Sequence, residues 1–272
     1  MNVKDKTIVI TGAASGIGRA LALACAQRGA VVALADINHA EVLATQAQTG
    51  LPADRSSAHQ LNVASLAEWQ NFKAEVIAAH GPIDGIINNA GVTFAGSVED
   101  TDYAQLERVM SINFMGMVYG SKEFLPLLKQ RQEAFIANVS SVFGLYAMKN
   151  QSAYCASKFA IRGFTEVLAQ ELKDTSVSVC IVHPGHIGTN IVLHAHQQGN
   201  VISSQLSDAE QNKWANAFKA TGMAPDQAAA IILDGLSRKK RKIVVGRDAQ
   251  QGDRLSRLFP ARYVDAVNKA AP

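Results

Sequence analysis

Short apolar runs alternate along the chain with stretches in which apolar residues recur every three or four positions. TIVIT (7–11), VVALAD (31–36), AHQLNV (58–63), IDGIINNAG (83–91), FIANVSS (135–141), VSVCIVHPG (177–185) and KIVVG (242–246) read as strands. Helical patterns fall between them, over about 16–28, 39–48, 65–79, 102–130, 153–173 and 225–238. Pro126 lies near the end of the fourth helix, and Pro225 with Asp226 opens the last. Strands with so few polar residues are buried on both faces, as parallel strands covered by helices are. The βα alternation therefore predicts an α/β fold, a doubly wound parallel sheet of about seven strands with helices on both faces. No linker, low-complexity tract or repeat divides the pattern, so 1–272 is expected as one Rossmann-type domain. Its cofactor-binding part is expected over about 5–150 and its catalytic and substrate part over about 135–250. The polar, irregular segment 186–224 is long for a connection and reads as a lid. A C-terminal extension covers about 250–272, with Leu255, Leu258 and Phe259 as an amphipathic docking element.

Composition narrows the class without naming the chemistry. With 48% apolar and 18% charged residues, the 272-residue chain can bury an ordinary core. A net charge of +3 is too mild to call for nucleic acid. The RKKRK run (238–242) reads as a solvated face where a helix ends. No apolar run approaches the ~18 residues of a membrane span, and the N-terminal stretch lacks a signal peptide's apolar segment. Cys25, Cys155 and Cys180 form no CxxC pair, which fits free thiols in a reducing cytoplasm. His194 and His196 form an HxH pair near His183 and His186, but no cysteine or carboxylate cluster completes a metal set, so no metal is expected.

TGAASGIG (11–18) joins the first strand to the first helix. Gly12 permits a tight turn, Gly16 lets the backbone approach a pyrophosphate, and Gly18 lets helix and strand pack closely. Free N–H groups around Ser15, Gly16 and Ile17, with the helix dipole behind them, would face the phosphates. The spacing is GxxxGxG rather than GxGxxG. Asp36 ends the second strand, where a carboxylate accepts from both hydroxyls of the adenosine ribose and repels a 2′-phosphate. Neither Ser15 nor Ile37 supplies the cation a 2′-phosphate would need. The cofactor expected is NAD, with NADP disfavoured; Asp36 could alternatively cap the helix that follows it.

Tyr154 and Lys158 stand four apart, on one face of a helix. A phenol titrates near ~10, and a nearby ammonium stabilises the phenolate. So tuned, it can take a proton from an alcohol or return one to a carbonyl as a hydride moves. Read together and in order, TGAASGIG, NNAG (88–91), Asn113, SS (140–141), YCASK (154–158) and HPGHIGT (183–189) resemble the short-chain dehydrogenase/reductase family in its compact single-domain subtype, over about residues 5–250. The resemblance implies Tyr154 as acid/base, Lys158 as its partner and a ligand of the nicotinamide ribose, and Ser141, followed by Val142, Phe143 and Gly144, as the donor to the substrate oxygen. It implies that Asn113 opens its helix locally and holds a water in a proton relay. Asn89, Ala90 and Gly91 would pass the cofactor by backbone, with Asn88 bracing the strands. Asn62 and Val63 stand where the family usually has Asp-Val beside the adenine, and Pro184, Gly185, Ile187 and Thr189 match the segment closing over the nicotinamide.

Phe94, Phe143, Tyr146 and Met148 flank this chemistry on loops, His186 lies in the closing segment, and Trp214, Phe218 and Met223 could line a lid. The expected reaction interconverts a secondary alcohol and a ketone, on a medium or large apolar substrate bound by Ser141, Phe143, Met148, Tyr154 and His186. The alternatives are an NADP-dependent 3-oxoacyl-carrier reductase of the same family and a non-catalytic dinucleotide-binding regulatory protein. The family's pairing habits imply a homodimer or homotetramer.

Overall fold

The computed structural model describes residues 2–197 and 208–264. Seven parallel strands form one sheet: β1 (Thr7–Thr11), β2 (Val31–Asp36), β3 (Ser56–Gln60), β4 (Gly85–Asn88), β5 (Ala134–Val139), β6 (Val177–Pro184) and β7 (Lys242–Val245). Their spatial order is β3-β2-β1-β4-β5-β6-β7, so the winding reverses between β1 and β4. That switch point opens a crevice at the carboxyl ends of the strands.

Alternating strand residues build two cores. Ile8, Ile10, Val32, Leu34 and Val182 face α1 (Gly16–Gln27) and α9 (Pro225–Ser237), meeting Leu21, Ala22, Ile232 and Leu236. Val9, Ala33, Ile86 and Ile136 face the opposite layer, where Trp69 and Phe72 of α3 (Leu66–His80) and Phe124 of α5 (Gly116–Leu128) interlock edge to face. Asn88 braces β4 to β5 by donating to Asn138 Oδ1 at 2.8 Å. Side chains cap several helix starts among the described residues, including Asn38 before α2 (His39–Thr49), Ser65 before α3, and Asp102 before α4 (Tyr103–Met110).

The structure departs from the sequence pattern in three places. β3 covers Ser56–Gln60 rather than 58–63, because Gln60 is its last partner for Asp36 and the chain then turns, Asn62 Oδ1 accepting from Ala64 N–H at 3.1 Å. Leu61 and Val63 are buried loop residues, not strand. The helix expected over 102–130 is interrupted by a π-turn at Ser111–Met115, which separates α4 from α5. The extension begins earlier than its apolar residues suggest, as α10 (Arg247–Leu258), and it docks through Ala249 and Gly252. Leu255 is half-buried, whereas Leu258 and Phe259 remain exposed; residues 265–272 lie outside the described ones.

The lid segment contains α7 (Ile191–Gln197) and α8 (Asp208–Thr221), with 198–207 and the His196 side chain outside the described residues. α6 (Ser152–Glu171) follows β5. The basic run is partly neutralised by ion pairs of Arg238 with Asp234, Lys239 with Glu133, and Lys242 with Asp253. Among the described residues no helix is long and apolar enough to cross a membrane, and no group of three or more His, Cys, Asp or Glu residues could hold a metal.

Candidate active site

The β1–α1 loop is clamped to the end of β4. Thr11 Oγ1 accepts from the N–H groups of Asn89 and Ala90, both at 3.1 Å. Asn89 Nδ2 donates back to the carbonyls of Thr11 and Gly12. Gly12 has φ +66°, and a Cβ there would stand 2.8 Å from Ala90 Cα, so this turn requires glycine. A Cβ on Gly18 would meet the Gly12 carbonyl oxygen at 2.0 Å, and one on Gly16 would press on the Thr189 methyl at 3.1 Å. The α1 start is bare: Ser15 makes no side-chain cap. An uncapped helix end with the chain drawn in around it fits a dinucleotide pyrophosphate.

Asp36 lies at the rim of that loop. One carboxylate oxygen accepts from Ala14 N–H at 3.1 Å and the other from Asn38 N–H at 3.0 Å. Val63 packs on Gly116, while its carbonyl accepts from the Trp69 indole at 2.9 Å. Gly185 admits the Asp248 carboxylate, which a Cβ there would meet at 2.3 Å, and Ile187 is buried in the core beside Met223.

The polar cluster forms where β5, α6 and the π-turn meet. Tyr154 and Lys158 are both buried, with the ammonium 5.5 Å from the phenol ring centre. Lys158 Nζ donates to the Val139 carbonyl at 3.2 Å. A Cβ on Gly91 would come within 3.3 Å of that ammonium and 3.1 Å of Asn113 Oδ1, so the cofactor loop, Lys158 and Asn113 converge at one point. Asn113 Oδ1 accepts from Val92 N–H at 2.8 Å, and its Nδ2 donates to the Val92 carbonyl and to Ser157 Oγ, each at 2.9 Å. These bonds hold the amide at the π-turn. The two serines separate cleanly. Ser140 Oγ donates to the Lys158 carbonyl at 2.8 Å, a structural bond to the helix. Ser141 accepts from Phe143 N–H through its side chain and hydrogen-bonds to Tyr154.

Burial dominates the electrostatics. It pushes the Tyr154 phenol up to about 12, although the Ser141 hydrogen bond pulls the other way and Cys155 adds to the rise. Burial likewise pulls Lys158 down to about 8. Burial thus opposes the lowering expected from the Lys158 ammonium. Desolvation of the phenolate outweighs an ammonium lying over the ring rather than bonded to its oxygen.

Phe143 stacks edge-on against Tyr154 at 6.1 Å and against Tyr146 at 5.8 Å, with Met148 packed in the same cluster. Phe94 is instead buried against Val109 and Ala153, away from any open surface. His186 is engaged by the lid: a ring nitrogen bonds the Phe218 carbonyl at 2.6 Å, and its backbone N–H donates to Asp248 at 2.7 Å.

Sequence reasoning missed three participants. His183 donates Nδ1–H to the Ser141 carbonyl at 2.8 Å, and its buried Nε2 has no partner. Burial pushes this imidazole down to about 4, with Lys242 and Arg162 adding to that and the Ser141 carbonyl and Asp253 opposing it. Asp248 anchors the closing segment. Tyr263 accepts from Ala147 N–H at 3.2 Å, tying the tail to the loop that carries Phe143 and Met148. The alternation of β6 could have marked His183 as inward-facing; nothing local marks Asp248 or Tyr263.

Comparison with known proteins agrees with this geometry. The short chain dehydrogenase family profile matches residues 6–200. The oxidoreductase SadH of Mycobacterium tuberculosis (strain ATCC 25618 / H37Rv) is 35% identical over 265 residues, covering 96% of this chain and 93% of the relative. The crystal structure of a short chain dehydrogenase/reductase from Burkholderia phymatum in complex with NAD superposes with a TM-score of 0.87 at 23% identity, covering 97% of each chain. Levodione reductase superposes with a TM-score of 0.79 at 27% identity, covering 92% of this chain and 98% of that one. The chain belongs to the short chain dehydrogenase family. It is an oxidoreductase of that family, whose members use a nicotinamide dinucleotide.

Proposed function

We propose that this protein interconverts a secondary alcohol and a ketone with NAD(H), with residues 1–272 acting as one Rossmann-type domain. The observation that carries the reading is the buried Ser141–Tyr154–Lys158–Asn113 cluster against the Gly91 turn of the dinucleotide loop. When bound, the nicotinamide would accept or supply the hydride. Ser141 Oγ donates to the substrate oxygen and fixes its position. Tyr154 Oη takes the proton of an alcohol, or returns one to a ketone oxygen. Lys158 stabilises the phenolate, and its own lowered affinity for a proton suits it to pass that proton on near neutral pH. Asn113 keeps the adjoining helix open beside that lysine.

Gly12, Ser15, Gly16, Ile17 and Gly18 would hold the pyrophosphate, and Asn62, Val63, Asn89, Ala90 and Gly91 the adenine and ribose edges. Pro184, Gly185, Ile187 and Thr189 would close over the nicotinamide. NAD is favoured over NADP by Asp36, whose carboxylate stands at the loop rim. Ketone chemistry is favoured by the likeness to a protein named for reducing levodione. The half-buried Phe143 and Met148 beside Tyr154 favour an apolar substrate. A homodimer or homotetramer fits the exposed Tyr103, Leu106, Phe159 and Val167 on α4 and α6.

The test is a panel of alcohols and ketones assayed with NAD(H) and with NADP(H), read at the reduced-nicotinamide absorbance band. Turnover of bulky apolar secondary alcohols with NAD supports the proposal. Preference for sugars or small diols refutes the apolar pocket, and preference for NADP refutes the cofactor assignment.

A further inference from the structure

Arg19 lies one turn into α1, directly behind the loop that Asp36 touches. Its Nη2 donates to the Ala14 carbonyl and, at 2.7 Å, to Glu41 Oε2. Its Nε donates to Thr45 Oγ1 at 2.9 Å. Thr45 is buried, and its hydroxyl donates in turn to the Glu41 carbonyl at 3.1 Å. Ala14 thus receives Arg19 on its carbonyl while its N–H donates to Asp36, which brings a cation and an anion to one residue of the phosphate loop.

A guanidinium grips a phosphate through two N–H groups on one edge. Both of its two-nitrogen edges, Nε–Nη2 and Nη1–Nη2, include Nη2, and the hydrogens of Nη2 are committed to Ala14 and Glu41. Glu41 also cancels the charge. The local balance at the rim is then set by Asp36, which favours ribose hydroxyls and repels a phosphate ester. Glu41 is held in register by α2: its N–H donates to the Asn38 cap at 3.3 Å, and its side chain is 53% exposed.

We propose that Glu41 is a positioning residue for cofactor choice, pairing with Arg19 so that no guanidinium is available to the 2′-phosphate of the adenosine ribose. The inference rests on the NAD reading above and adds to it the reason an arginine beside the loop does not reverse the preference. An exposed ion pair of this kind contributes little to folding, so Glu41 can be changed without unfolding the protein.

The experiment titrates NADH and NADPH separately into the full-length protein at low salt, reading nucleotide fluorescence, for wild type, Glu41→Ala, and Glu41→Ala combined with Arg19→Gln. Wild type should bind NADH more tightly. Glu41→Ala, which removes both the acceptor and the charge, should tighten NADPH binding about five- to tenfold and leave NADH within about twofold. The gain should shrink as salt is raised and vanish in the double variant. With the wild-type preference for NADH intact, an unchanged NADPH affinity in Glu41→Ala, or equal changes for both nucleotides, overturns the inference alone. A wild-type preference for NADPH overturns the NAD reading and the inference with it.

Discussion

Lowering the pH tests the buried His183 directly. The imidazole is completely buried and bonded only through Nδ1, and its protonation falls from 6.5 to about 4. Between those values the unfolded chain binds a proton that the folded chain refuses, so stability is fully present above 6.5 and is lost as the pH falls. At about 1.4 kcal/mol per pH unit between the two values, the full loss is about 3 kcal/mol, of which about 2 kcal/mol falls between pH 7 and pH 5. Other groups contribute to the acid dependence of stability, so the measurement is a difference. Urea unfolding of wild type and of His183→Asn, followed by circular dichroism at pH 7 and pH 5, gives two stability gaps. The asparagine amide can still donate to the Ser141 carbonyl but cannot titrate. The wild-type advantage should narrow by about 2 kcal/mol at the lower pH. A gap that stays constant would refute the claim that His183 is held neutral.

Other expectations follow from packing and burial. Gly18→Ala, whose new methyl would stand 2.0 Å from the Gly12 carbonyl, should cost about 1–3 kcal/mol by thermal unfolding and weaken NADH binding at least about tenfold; unchanged melting and affinity would contradict the packing. Gly163→Ala, in the middle of α6 with nothing within 4 Å, should stabilise by about 1 kcal/mol and raise Tm by about 2 °C; a lower Tm would show that the site is not open. Cys25 and Cys180, buried and pushed up to about 12, should not react with a disulfide-exchange reagent at pH 8 until the protein is denatured. Rapid modification of either in the native protein would place it at the surface.

The strands and the two chemical motifs were legible because each is a local pattern. A buried parallel strand is written in consecutive apolar residues, and YCASK carries its spacing on one helix. β3 was harder because its residues, Ser56, Ser57, Ala58, His59 and Gln60, form an edge strand with little apolar content, while the more apolar LNV that follows belongs to the turn. The π-turn at Asn113 has no periodic signature of its own; a poor helix former within SINFMG was the available hint. The burial that opposes proton loss from Tyr154 was not legible, because spacing gives neighbours but not burial. His183 with Ser141, Asp248 with His186, and Arg19 with Glu41 join residues 22 to 62 positions apart, and only the folded chain brings them together.

Replacing Tyr154 with phenylalanine and measuring alcohol oxidation and NADH binding on the same preparation tests the proton-transfer role most directly. The Phe143 contact and the burial survive this change, while the hydroxyl does not. Turnover should fall at least about a hundredfold, with NADH affinity within about threefold of wild type. Turnover equal to wild type with binding intact would show that the proton travels by a group other than Tyr154.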